Sequence, residues 1–250
     1  LPMKSVDIIL PNYNSSNTIA STINSIFKQS YNNWHLIIVD DNSNQKTKQL
    51  LSQYIKKKKI TIHYLEKNKG AAYCRNLAIK KSKSYYLAFI DSDDLWGKNK
   101  LKNQINFMQK NKYDFCYTWY KTFNAYNSKI NNIKVPKTFN FESFIKNTSI
   151  ATSSMIVKRS IADGIRFSNT KICEDYFYKC QLLKKIGNAY CYPSYLTRYQ
   201  GRKKSLQSNR IRNIYWLWKI NSKLNNFNIL KNLISIFFIS LNSIKKYGLK

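Results

Sequence analysis

Within its first hundred residues the chain alternates, four times over, a short apolar run with a polar turn or a segment of helical periodicity. Val6-Asp7-Ile8-Ile9-Leu10 reads as a buried strand, Asn14–Asn17 as a polar turn and cap, and the stretch to Gln29 as a helix with Ile19, Ile23, Ile26 and Phe27 on one face. His35–Val39 is a second strand, Gln45–Ile55 a helix, Ile60–Leu65 a third strand, Gly70–Lys81 a helix and Tyr85–Ile90 a fourth strand. Strands joined by helices of this length predict a parallel, doubly wound sheet. Its 250 residues suit one large domain, or a domain with a small appendage, able to bury a core without disulfides or metals.

Beyond residue 100 the pattern loosens. It predicts helices over Lys98–Lys110 and Glu174–Ile186, strands over Phe115–Phe123 and Ser154–Val157, and two terminal helices, Leu206–Leu224 and Ile229–Tyr247. The longest apolar stretch, Ile229–Ile244, is broken by Lys231, Asn232, Ser235, Ser240 and Asn242. It falls short of the roughly 20 apolar residues a membrane-spanning helix needs. Ser5–Leu10 is too short for the apolar core of a signal peptide. The five cysteines (Cys74, Cys116, Cys173, Cys180 and Cys191) show no metal-binding spacing, and their odd number fits a reducing compartment. The expected location is cytoplasmic, free or peripheral on the inner face of the cytoplasmic membrane.

Charge narrows the function. With 43 Lys+Arg against 12 Asp+Glu the net charge is +31, which implies anionic surroundings: phosphates, nucleic acid or acidic lipid. So few acids make their placement informative. Asp40-Asp41, Asp91-Ser92-Asp93-Asp94 and Glu174-Asp175 hold seven of the twelve, and none follows Asp175. Carboxylates packed together repel unless a cation or polar ligand compensates. Two of the clusters follow strands, at the edge where open α/β sheets bind ligands. Asp91-Ser92-Asp93-Asp94 offers hard oxygen ligands suited to Mg²⁺ or Mn²⁺, ions that are usually held by one or two carboxylates plus substrate phosphates. No phosphate-binding Gly-rich loop ending in Lys-Ser/Thr occurs, nor Gly-x-Gly-x-x-Gly after the first strand, so ATPase and dinucleotide oxidoreductase readings lose their main support. His35 and His63 both lie in predicted strands and read as structural.

Four stretches carry a family resemblance. Ile8-Ile9-Leu10-Pro11-Asn12-Tyr13-Asn14, Ile37-Ile38-Val39-Asp40-Asp41-Asn42-Ser43, Asn68-Lys69-Gly70-Ala71-Ala72-Tyr73-Cys74-Arg75-Asn76 and Phe89-Ile90-Asp91-Ser92-Asp93-Asp94 resemble, in order, the opening of family 2 glycosyltransferases. Glu174-Asp175 is similar to the family's later acidic pair. The match covers residues 5–100; beyond it only that pair and Arg198–Ser208 are similar.

The resemblance implies the GT-A fold: a Rossmann-like, mixed α/β sheet flanked by helices. It divides the chain into a nucleotide-sugar half (1–100), an acceptor half with the catalytic base (101–205) and a basic helical C-terminal segment (206–250). By resemblance Pro11, Tyr13 and Asp41, with Asp40 beside them, line a uracil and ribose pocket, and Arg75 approaches the nucleotide or its diphosphate. Asp91 and Asp93 form the family's D-x-D. Asp93 is the first choice as ligand of Mn²⁺ or Mg²⁺; Asp94 is a further candidate that the sequence does not separate from it, and Asp91 is shared between metal and ribose. Asp175 is the implied general base, with Glu174 orienting it or holding the acceptor. Many relatives carry a His after the base; Tyr199-Gln200-Gly201-Arg202-Lys203-Lys204-Ser205 has none, so Arg202, Lys203 or Lys204 would neutralise the diphosphate instead.

The expected activity is metal-dependent, inverting transfer from a UDP-sugar to a lipid-linked oligosaccharide of a bacterial surface polysaccharide such as O-antigen, lipooligosaccharide or capsule. The alternative is a non-catalytic, basic nucleic-acid-binding protein. That reading leaves the acid clusters unexplained and finds no zinc-finger, basic-zipper or RNP signature, so no nucleic-acid partner is expected. Residues 176–250 hold 15 Lys+Arg and no acid, interleaved with Trp216, Trp218, Phe237 and Phe238. Two readings stay open for them: insertion into an anionic membrane surface, or packing of the apolar faces on the catalytic domain.

Overall fold

The computed structural model describes residues 2–124, 130–170, 172–201, 210–226 and 228–247. The apolar runs of the first hundred residues become β1 (Val6–Asn12), β2 (Trp34–Asp40), β3 (Ile60–Tyr64) and β4 (Tyr86–Phe89). Between them lie α1 (Ile19–Phe27), α2 (Gln45–Ser52) and α3 (Ala71–Lys81). β1 pairs in parallel with both β2 and β4, and β2 with β3. The predicted helix to Ile55 stops at Ser52. Tyr54 and Ile55 donate to carbonyls three residues back, and the helix gives way to turns ahead of the Lys56–Lys59 run, where like charges would stack on successive turns.

The second half adds β5 (Leu95–Trp96), α4 (Lys100–Asn111), β6 (Phe115–Asn124), β7 (Ile130–Ile133), β8 (Thr138–Asn140), α5 (Phe141–Phe144), β9 (Ile156–Lys158), α6 (Arg159–Ala162), α7 (Glu174–Ile186), β10 (Asn188–Gly201), α8 (Arg210–Leu224) and α9 (Ile229–Tyr247). All the described strands belong to one sheet of order β3-β2-β1-β4-β9-β6-β10-β5, with β7 on β6 and β8 on β10. β9 runs antiparallel to β4 and β6, so the parallel winding of β1–β4 passes into a mixed sheet. β10 was not foreseen. Pro193 reads as a breaker, but the strand carries it between two register shifts, from Tyr192 to Tyr195 and from Tyr195 to Thr197.

Strand alternation divides the core between the two faces of the sheet. Ile9, Ile37, Leu87 and Phe89 pack with Ala78 of α3 and Tyr178 and Leu182 of α7. Ile8, Leu36, Ile38 and Ala88 pack with Ile19 and Ile23 of α1 and Leu101 and Ile105 of α4. Strand order reverses at β1, since β2 and β3 lie to one side of it and β4 to the other. The crevice outside the carboxyl ends of β1 and β4 is therefore where such a sheet binds ligands.

Both C-terminal helices are tied to this body. Ile220 and Leu224 of α8 enter the core, and Tyr176 Oη donates to Asn221 Oδ1 at 2.5 Å. Asn225 Nδ2 donates to Asn232 Oδ1 at 2.9 Å and links α8 to α9. The burial of α9 is unusual: Asn232 and Ser235 face inward with Ile239, whereas Leu230, Leu233, Phe237, Phe238 and Leu241 are exposed.

Candidate active site

The end of β2 is held by its own carboxylates. Asp40 is fully buried and accepts the Asn12 amide at 2.7 Å, the Ser43 hydroxyl at 2.6 Å and the Ser43 backbone N–H at 3.0 Å. These contacts tie the end of β2 to the end of β1 and to the turn that follows β2. Asp41 accepts the backbone N–H groups of Lys69 at 2.6 Å and Gly70 at 2.8 Å, one on each oxygen. Gly70 precedes α3 with φ +87°, a conformation that favours glycine. Asp41, itself buried, thereby fastens the start of α3 to the end of β2. Pro11 is buried, and Tyr13 stands exposed on the rim.

Past β4, the turn Asp91–Asp94 separates its carboxylates. Asp91 accepts from Arg75 Nη2 at 2.6 Å, with 29% of its side chain exposed. Asp93 is half-buried. Asp94 is fully buried and accepts the Ser153 hydroxyl. Ser153 Oγ also accepts the Asp91 backbone N–H at 3.0 Å.

The acidic pair opens α7, where negative charge favours the helix N-terminus. Cys173 immediately before it has φ +62°, strained for a side-chain-bearing residue, and turns the chain so that Glu174 and Asp175 enter the helix together. Asp175 Oδ2 accepts from Lys179 Nζ at 2.7 Å and Thr152 Oγ1 at 2.9 Å. Burial pushes the Asp175 carboxyl up, but Lys179, Arg75 and Thr152 together outweigh it and hold the group below the usual carboxylate range. Glu174 moves the other way: burial raises it, and the pull of Arg75 does not fully offset that effect.

Arg75 joins the two clusters. It is almost wholly buried; Nη2 goes to Asp91, Nη1 to Glu174 Oε1 at 3.0 Å, and the guanidinium lies 5.2 Å from the Phe167 ring centroid. Both terminal nitrogens of Arg75 are thus engaged by carboxylates. The turn Thr152–Ser154 makes a second junction, through Thr152 to Asp175 and Ser153 to Asp91 and Asp94. Sequence reasoning missed Thr152 and Ser153, whose only signal is a run of three hydroxyl side chains ahead of a strand. Arg202, Lys203 and Lys204 lie outside the described residues.

Among the described residues no three His, Cys, Asp or Glu side chains converge into a preformed metal cage. The donor set nevertheless suits Mg²⁺ or Mn²⁺, which take one or two carboxylates and complete their shell with substrate phosphates. Asp91 uses one oxygen on Arg75 and keeps the other, and Asp93 lies two residues on.

Residues 7–177 match the family model for glycosyl transferase family 2. The chain belongs to that family. The matched span takes in all three acidic clusters, which the nucleic-acid reading left unexplained. TuaG of Bacillus subtilis, which carries the name of a teichuronic acid biosynthesis glycosyltransferase, is 31% identical over 243 residues, covering 96% of each chain. WfgD of Escherichia coli, named as a UDP-Glc:α-D-GlcNAc-diphosphoundecaprenol β-1,3-glucosyltransferase, is 31% identical over 216 residues, 86% of this chain and 84% of its own. Among solved structures, Staphylococcus aureus TarS 1-349 in complex with UDP-GlcNAc superimposes with a TM-score of 0.75 at 20% identity, over 96% of this chain and 73% of that one. The mannosyltransferase PcManGT of Pyrobaculum calidifontis, in complex with GDP-Man and Mn²⁺, gives 0.70 at 15% identity, over 100% and 77%. These likenesses show the fold, GT-A. Among the described residues no helix is long and apolar enough to cross a membrane.

Proposed function

We propose that this family 2 glycosyltransferase moves a sugar from a UDP-sugar to a hydroxyl of a lipid-linked oligosaccharide in bacterial surface polysaccharide biosynthesis, with a divalent cation and with inversion at the anomeric carbon. The observation that carries the reading is the joining of the Asp91–Asp94 turn to the Glu174–Asp175 helix start through Arg75. One cluster suits a metal-bound diphosphate and the other a proton transfer, and transfer at an anomeric carbon needs both side by side. The names of the relatives support donor and acceptor: WfgD is named for UDP-Glc and a diphosphoundecaprenol acceptor.

Asp93, with the remaining oxygen of Asp91, would hold Mn²⁺ or Mg²⁺, which when bound supplies positive charge against the departing diphosphate. Asp41, Pro11 and Tyr13 border the place for the uridine. Asp175 takes the proton of the acceptor hydroxyl as that oxygen bonds to the anomeric carbon and the bond to UDP breaks on the opposite face. Lys179 and Thr152 both bind Oδ2, which orients the carboxylate with Oδ1 as the proton acceptor. Glu174, anchored by Arg75, positions the helix start.

The outward apolar face of α9 supports contact with an anionic membrane, where a lipid-linked acceptor resides. The decisive first measurement is release of UDP from UDP-Glc, UDP-Gal, UDP-GlcNAc and UDP-GalNAc with Mn²⁺ and with EDTA. Hydrolysis of one of these sugars with metal alone supports the reading, and hydrolysis of none overturns it.

A further inference from the structure

Beside Arg75, the loop 164–170 with α7 and α8 encloses a groove of about 740 Å³. Arg166, Lys219 and Lys223 line it, and no carboxylate does. Among the described residues none of these three cations lies within ion-pair distance of an acid. Lys219 Nζ sits instead 5.3 Å from the Trp216 ring, and Lys223 Nζ 5.9 Å from that of Phe177. Gln181, also on the lining, has a buried Oε1 with no hydrogen-bond partner. The groove shares a wall with the acidic centre, since Phe167 lines it and carries the Arg75 guanidinium on its ring.

We propose that this groove is an acceptor subsite for a sugar diphosphate, with Arg166, Lys219 and Lys223 on the phosphates and Trp216 and Phe177 against the sugar. Two lysines beside aromatic faces, with Arg166 on the same groove donating one Nη to the Ile165 carbonyl, suit a ligand that is at once anionic and a carbohydrate: the phosphates need the charge, and the C–H face of a pyranose packs on a ring. Phe177 lies one turn after Glu174 on α7, so the groove runs along the helix face that carries the Glu174–Arg75 pair. The inference rests on the proposed glycosyl transfer and adds the recognition of the acceptor's phosphate end.

The test compares two acceptors on the full chain: a sugar diphosphate with a short alkyl tail, and the same sugar as a plain alkyl glycoside. Wild type should show a KM for the diphosphate at least about tenfold lower, the equivalent of about 1.4 kcal/mol. The triple variant Arg166→Ala/Lys219→Ala/Lys223→Ala should raise that KM to the level of the glycoside, with UDP-sugar hydrolysis unchanged. An unchanged diphosphate KM, or an equal rise for both acceptors, overturns the proposal. Tryptophan fluorescence titrated with inorganic pyrophosphate in EDTA decides the matter without turnover. Quenching in wild type that is lost in the triple variant and in Trp216→Phe supports it; equal quenching in all three, or none in wild type, refutes it. Failure of UDP-sugar hydrolysis in wild type would instead count against the parent reading, whatever the pyrophosphate result.

Discussion

Arg75 Nη1 donates to Glu174 Oε1 at 3.0 Å, joining residues 99 positions apart in the chain. The same guanidinium holds Asp91 at 2.6 Å, so one buried side chain fixes the end of β4 against the start of α7. Two separated acceptors need a planar fork; a lysine offers one point of charge.

Replacing Arg75 should therefore hurt both stability and transfer. Arg75→Met leaves two carboxylates without their cation and should cost about 3–5 kcal/mol in urea unfolding. Arg75→Lys should recover part of the stability, because it can pair with one carboxylate, and little of the transfer rate.

Opposite shifts at Glu174 and Asp175 predict the pH profile. Asp175 sits below the usual carboxylate range and stays ionised through mild acid, whereas Glu174 is raised and gains its proton first as pH falls. The acid limb of kcat/KM should belong to Glu174 and should flatten in Glu174→Gln. Asp175→Asn should instead lower the rate about 10²–10⁴-fold at every pH, with UDP-sugar binding nearly intact.

Neighbouring acids in the β4 turn should separate by assay. Asp93→Asn should weaken UDP binding in Mn²⁺ by calorimetry. Asp94→Ala removes the buried partner of Ser153 and should cost about 1–3 kcal/mol of stability. Metal-dependent UDP binding retained in Asp93→Asn would reverse the assignment.

Lys100 makes stability depend on pH. It is fully buried on α4, its Nζ lies 4.2 Å from the Trp96 ring centroid, and that nitrogen has no hydrogen-bond partner. Burial pulls its pKa down from 10.5 to about 7. The unfolded chain thus binds a proton that the folded one refuses, so stability should rise from pH 7 to pH 10.5. Lys100→Met should stabilise the fold at neutral pH and flatten that rise in denaturant titrations.

The exposed face of α9 predicts sedimentation with anionic vesicles that weakens in high salt. Leu233→Asp combined with Phe237→Asp should abolish it without lowering Tm, because both side chains are already exposed. Equal sedimentation of variant and wild type would remove the helix from any membrane contact.

Residues 1–100 were legible because their structure is local. Each strand is an apolar run, each helix an amphipathic one, and the acids stand at strand ends where a parallel sheet leaves its open edge. The helix at Glu174–Ile186 was legible for the same reason, with acids in its first turn, lysines in its last and Gly187 after it. What the sequence could not decide are the pairings across distance. Asp40, Asp41 and Asp94 look like Asp93 in one dimension; only their burial, against Asn12 and Ser43, the Lys69 and Gly70 N–H groups, and Ser153, sets them apart. The role of Arg75 depends on two carboxylates, one 16 positions away and the other 99. β10 exists because β6, β8 and β5 satisfy its backbone, so neighbours from elsewhere in the chain override the Pro193 signal. Composition and periodicity follow from the chemistry of adjacent residues. Which carboxylate reaches solvent, a cation or a hydroxyl is decided by what the fold brings against it, and no spacing along the chain encodes that.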